Sequence, residues 1–154
     1  MTAPLFRPAF TLLIGWACAA VTSVAVAPAA PAAPAGVHVE TLSQNTVDGM
    51  DYIVTRITVE PGAGTGWHYH PGDVFGYISE GTMTHWNTGG DQGGCVVDAV
   101  YDAGAPVKEG IGPGFVHNGR NQGSTPLVME VVYINPVGTP LSVEVPAPAR
   151  CPVS

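Results

Sequence analysis

From Val37 onward the chain is cut into short runs of β-branched and aromatic residues by closely spaced glycine and proline turns, a pattern that leaves no room for long helices. The runs are residues 37–42, 52–59, 74–78, 82–86, 96–101, 127–134 and 141–145. Turn signals stand between them: Asp48-Gly49, Pro61-Gly62, Glu80-Gly81, the glycines of 89–94, Gly112-Pro-Gly114 and Asn118-Gly119. Ile53, Thr55, Ile57 and Val59 fall on one face of an extended segment and Val54, Arg56 and Thr58 on the other, the period of a half-buried strand. Many short strands with regular turns predict an all-β antiparallel sandwich or barrel, and no internal repeat points to a propeller or solenoid. A barrel built from residues 37–154 encloses one modest core and has room for one small ligand in its mouth.

The first 36 residues read differently. Residues 1–27 have the layout of a signal peptide: Arg7 is the positive flank, residues 10–27 are the apolar run, and Ala25-Val-Ala27 is a small-residue cleavage signal. Passage through the membrane export machinery and a secreted, periplasmic or cell-surface location follow from that reading. The alternative is a retained membrane anchor, since the run is about the minimum length that spans a bilayer. Residues 28–36 repeat alanine with a proline at every third position, an extended spacer rather than part of a core. The formal charge of −7 becomes −8 once Arg7 is removed, and a surface so acidic argues against nucleic acid or anionic membrane as a partner.

Export also removes Cys18 and leaves Cys95 and Cys151. An even pair in an exported chain predicts a disulfide, here one that staples the C-terminal tail to the barrel. Closing a loop of this length is worth about 4 kcal/mol on the chain-entropy account.

The chemistry-bearing residues are histidines. His68 and His70 are separated by one residue, so an extended backbone points both rings to the same face. His117 stands far along the chain beside glycine-rich turns. Three imidazoles from two distant segments make a candidate metal site. No Gly-x-Ser-x-Gly elbow and no Gly-x-x-x-x-Gly-Lys loop occurs, which sets aside those routes to nucleophilic catalysis and nucleotide hydrolysis.

Gly62-x5-His68-x-His70, then Gly81, then Gly114-x2-His117-x3-Asn121 resemble the two motifs of the cupin superfamily. More narrowly, Trp67-His-Tyr-His-Pro-Gly72, the Ser79-Glu-Gly-Thr82 turn, the cysteine of the middle loop and Ala149-Arg-Cys-Pro152 are similar to small exported bacterial single-domain cupins. The resemblance covers residues 55–152. It implies a double-stranded β-helix, or jelly-roll barrel, with a divalent metal near its mouth, a small-molecule ligand, and copies that dimerise through sheet edges.

The family pattern takes two histidines and a glutamate from the first motif and a histidine from the second. His68, His70 and His117 match, but the glutamate position holds Val74, and Pro113 stands directly before Gly114. The departure leaves either a three-histidine site, as in some metal-dependent cupin oxygenases, or a site that has lost its metal. Three neutral imidazoles leave a divalent ion its full +2 charge, where a carboxylate would reduce it to +1, and the former favours an anionic or enolate ligand. Imidazole suits zinc, copper, iron and nickel, with manganese a further candidate.

Asp73, one position out of register, and His85 are the candidates for an additional ligand or an acid–base group. Asn121 is expected to bind turn backbone rather than substrate. Two classes of function stay open: a metal-dependent enzyme, dioxygenase-like or isomerase-like, acting on a small anionic or enolisable substrate, and a non-catalytic barrel that binds a sugar, a small metabolite or the metal itself. A structural barrel with remnant histidines is the third reading.

Overall fold

The computed structural model describes residues 33–89, 94–149 and 151. Ten strands and no helix occur among them: β1 (Val37–Val47), β2 (Met50–Val59), β3 (His68–Tyr69), β4 (Asp73–Glu80), β5 (Thr82–Gly89), β6 (Gly94–Asp102), β7 (Pro106–Glu109), β8 (His117–Arg120), β9 (Leu127–Pro136) and β10 (Val143–Glu144). They form two five-stranded antiparallel sheets, ordered β1-β2-β9-β4-β7 and β10-β3-β8-β5-β6. This is the antiparallel all-β architecture that the turn-punctuated runs predict, and the jelly roll that the family resemblance implies.

The first sheet carries the core. In β2 the buried residues are Ile53, Thr55, Ile57 and Val59, the face read from the alternation. β9 alternates over its whole length, burying Leu127, Met129, Val131, Tyr133 and Asn135. Val74 and Ile78 of β4 and Met83 of β5 complete the packed interior. Leu127 is wholly buried, and truncating such a side chain to alanine costs about 2–5 kcal/mol.

β1 differs: only Val37 is buried, and the strand continues to Val47 through Ser43, Gln44, Asn45 and Thr46. Pairing with β2 holds it, closed by a tight turn in which Asp48 (φ 50°) and Gly49 (φ 78°) both adopt the left-handed region. That turn matches the right-handed twist of a two-stranded ribbon. Gly81 turns β4 into β5 with φ 77°, and a Cβ there would press on the Pro126 carbonyl at 2.6 Å, so the motif glycine is required twice over.

Residues 1–27, read as a signal peptide, and the first part of the 28–36 spacer lie outside the described residues. The end of the spacer enters β1 through a turn in which the Val37 amide donates to the Pro34 carbonyl at 3.0 Å. Cys95 on β6 is joined to Cys151 in a disulfide that spans 56 residues, with Cα atoms 5.1 Å apart.

Candidate metal centre

Three short strands position the site. His68 on β3 lies directly opposite His117 on β8. His70 follows two residues after His68, and a parallel bridge to Ile111 ties it to the chain just beyond β7. That bridge draws Glu109, the last residue of β7, to the histidines. His68, His70, Glu109 and His117 then each offer one ligand atom, all within 4.8 Å of one another. The three histidines are buried, and Glu109 is largely so, its side chain 14% exposed.

Backbone carbonyls fix the tautomer of each ring. Nδ1 of His68 lies 2.9 Å from the Gly66 oxygen, Nδ1 of His70 2.7 Å from that of Leu141, and Nδ1 of His117 2.9 Å from that of Phe115. A carbonyl oxygen only accepts, so all three Nδ1 atoms carry hydrogen and the neutral rings present their lone pairs on Nε2. Those lone pairs converge. Nε2 of His68 and His70 are 3.2 Å apart, and Glu109 Oε2 lies 2.8 Å from Nε2 of His70 and 3.3 Å from that of His117. Despite that approach, the buried Nε2 of His117 makes no hydrogen bond of acceptable geometry. So many acceptors at such separations repel one another unless a proton or a cation sits among them. Three imidazole nitrogens, each ring braced from behind by a carbonyl, and one carboxylate are a donor set that fits a divalent transition metal.

The electrostatics agree. Burial, reinforced by the neighbouring rings of His117 and His70, pushes His68 down to about 3. Burial pushes Glu109 up, but its contacts with His117 and His70 outweigh that and hold the carboxyl well below the ordinary range. Burial also lowers His117, and the Glu109 carboxylate more than reverses the effect, leaving it raised. Without a cation, a proton shared between Glu109 and His117 relieves the crowding.

The three predicted histidines are thus brought together, and Glu109 joins them. The carboxylate missing at Val74 is supplied by Glu109, which is paired with Val74 across the β4–β7 ladder. With neutral imidazoles, a divalent ion there would carry +1, not the +2 expected of three histidines alone. Asp73 does not join them: its side chain is 45% exposed and accepts from Lys108 Nζ at 3.2 Å on the outer surface. His85 is buried beside the cluster but outside the set of four, its ring stacked on that of His117 at 5.1 Å between centroids.

Asn121 is a backbone clamp, as expected. Its Nδ2 donates to the Val59 and Thr125 carbonyls, both at 2.8 Å, and its Oδ1 accepts from the Gly123 amide at 3.0 Å. Glu109 lines a partly open cavity of about 40 Å³ together with Val74, Val107, Met129 and Tyr133. That volume admits a molecule of a few heavy atoms. Burial, then the nearby Glu109, raises the Tyr133 phenol, which therefore stays protonated.

No protein-family model and no curated protein matches the chain. Solved structures do. A double-stranded β-helix protein from Klebsiella pneumoniae is 20% identical over 69% of this chain and 77% of its own, with a TM-score of 0.53. A cupin domain from Bordetella pertussis is 23% identical over 65% of this chain and 94% of its own, with a TM-score of 0.50. An oxalate oxidase bound to the substrate analogue glycolate is 26% identical over 73% of this chain, with a TM-score of 0.54, and this chain spans 56% of its length. The fold and these likenesses show that the chain has the cupin fold, a double-stranded β-helix of the jelly-roll type.

Proposed function

We propose that this chain is an exported metalloprotein that holds one divalent transition metal through His68, His70, Glu109 and His117 and uses it to bind and turn over a small anionic or enolisable molecule. The observation that carries the reading is the convergence of three Nε2 lone pairs on a largely buried carboxylate, an arrangement that costs free energy unless a proton or a cation occupies it and whose donor set suits a divalent cation. The likeness to an oxalate oxidase bound to glycolate supports a small carboxylate as ligand, and the cavity beside Glu109 sets its size at a few heavy atoms.

When bound, the metal supplies Lewis acidity and an open coordination position at which an oxygen-bearing ligand is polarised. The protein does the rest. The Gly66, Leu141 and Phe115 carbonyls hold the rings in the ligating tautomer, and Glu109 lowers the site to +1, so that a monoanion neutralises it. Val74, Val107 and Met129 give the cavity an apolar wall.

Metal analysis of untagged protein tests the ligand set. Wild type should hold near-stoichiometric metal, and the H68A/H117A double variant should hold almost none; equal contents in the two proteins would sink the assignment. Oxygen uptake and substrate loss across small acids, diketones and phenols, with and without iron, test turnover. Binding without turnover under every metal would make the chain a non-catalytic receptor built on the same site.

A further inference from the structure

His85 and Asp98 form a pair that the ligand set does not use. The Nδ1 of His85 lies 2.6 Å from Asp98 Oδ1, and Asn87 Nδ2 donates to the other carboxylate oxygen at 2.8 Å. The carboxylate takes the Nδ1 hydrogen and thereby leaves the lone pair of the neutral ring on Nε2. That Nε2 is buried on a side chain 9% exposed, and it has no hydrogen-bond partner. It faces Glu109 Oε1 at 3.8 Å, the oxygen turned away from the histidine cluster, whose contacts are made by Oε2.

At 3.8 Å the two atoms do not hydrogen-bond to each other, and with the ring in its neutral form both are acceptors. Two buried acceptors facing each other at that separation call for a donor between them. The metal-binding set ends one atom away, so a molecule bound there reaches this gap with whichever oxygen lies nearest His85.

We propose that His85, its tautomer fixed by Asp98, accepts a hydrogen bond from a hydroxyl group on the metal-bound ligand, and so selects small carboxylates that carry an adjacent hydroxyl over those that carry none. Asp98 is a positioning residue in this arrangement. The inference rests on the metal reading above. Four protein donors leave a six-coordinate ion two free positions, which suits a carboxylate and its neighbouring hydroxyl binding together. The small cavity restricts the remainder of that molecule.

Glycolate and methoxyacetate separate this role from mere packing. Both offer the same two oxygens to a metal, but only glycolate has a hydroxyl hydrogen. With full-length protein loaded with cobalt(II), the dissociation constants follow from the visible spectrum of the ion. One buried hydrogen bond is worth about tenfold, so the glycolate preference of wild type should exceed that of H85L by about that factor, at unchanged cobalt content.

Asp98 gives a second variant on a more exposed side chain. Asn87 continues to donate to the oxygen of D98N, which turns the new amide NH2 toward His85 Nδ1 and moves the ring hydrogen to Nε2. The preference for glycolate should then fall as in H85L, and nitrogen NMR of the zinc-loaded protein should show the tautomer exchanged. Cobalt bound with the same preference in wild type, H85L and D98N overturns the His85 role and leaves the metal site standing. So does cobalt-loaded protein that binds neither acid. Wild type that takes up no cobalt overturns both.

Discussion

Val74 and Glu109 face each other across the β4–β7 ladder, and the carboxylate that the cupin pattern places on one strand stands here on its neighbour. Directly opposed residues of an antiparallel pair project to the same side of the sheet, with Cα atoms about 4.5–5.5 Å apart. Transferring a long side chain from one to the other moves its carboxylate little. Tyr133 is the next residue along this row, opposite Val74 on β9, so the site wall is one rung of the first sheet.

Exchanging the two residues tests that equivalence. E109V removes the only carboxylate of the set and should weaken metal binding by more than about 100-fold, beyond what loss of a mere supporting hydrogen bond does. V74E/E109V returns the carboxylate from the adjacent strand and should recover most of the affinity. Chelator competition on folded protein measures both. A double variant that folds like wild type, yet binds as weakly as E109V, would refute the equivalence.

Metal uptake should expel a proton. In the metal-free site burial lowers His117 and contact with Glu109 more than reverses this, which favours a proton on the pair that a cation must displace. The metal-bound state therefore binds fewer protons, and affinity rises with pH until His117 is deprotonated in the free protein. His68, pushed down to about 3, is already neutral there and adds nothing to this slope. Calorimetry in buffers of different ionisation enthalpy, between about pH 6 and 8, should register the released proton. An affinity flat across that window would contradict the shared proton.

The fold was legible where burial writes a period into the sequence, and illegible where ligands replace it. β2 alternates in burial from Ile53 to Val59, the face read from the sequence, whereas β9 is apolar on both faces and its alternation in burial appears only in the structure. β3, β7 and β8 are two to four residues long and escape that reading. Their inward positions are taken by His68, Glu109 and His117, polar residues at places where a hydrophobic pattern would need Val or Ile. The histidines remained visible because their spacing is local to each motif. Glu109 was not, since Pro106-Val-Lys-Glu109 has a single aliphatic residue besides its proline, and only the pairing with Val74 exposes its role. β1 outran its predicted end because it is held by a partner strand and not by burial, which residue hydrophobicity does not report.

Asn121 should separate stability from chemistry. The residue is 1% exposed, and its amide satisfies three backbone groups: the Val59 carbonyl at the end of β2, and the Thr125 carbonyl and Gly123 N–H in the turn after β8. N121A leaves all three buried without that partner and should cost about 3 kcal/mol of folding stability, read from urea denaturation of the metal-free protein. It touches no ligand atom, so metal stoichiometry in the folded fraction should stay at the wild-type value. Loss of metal at unchanged stability would instead place Asn121 in the site.

The Cys95–Cys151 bond ties the end of the chain to β6, at the far edge of the sheet that carries His68, His117 and His85. Reduction releases a 56-residue loop in the unfolded state and should lower stability by up to about 4 kcal/mol, less whatever structure the reduced chain retains. The ligands come from β3, the residue after it, β7 and β8, and only His70 takes its tautomer from the C-terminal segment, through Leu141, ten residues before Cys151. Reduced protein at moderate temperature should therefore keep its metal while melting earlier. Calorimetric scans with and without reductant, paired with metal analysis, read both quantities. Protein recovered from outside the cytoplasm should carry the bond and begin within or near the 28–36 spacer; free thiols at Cys95 and Cys151 in that fraction would break the link between export and the disulfide.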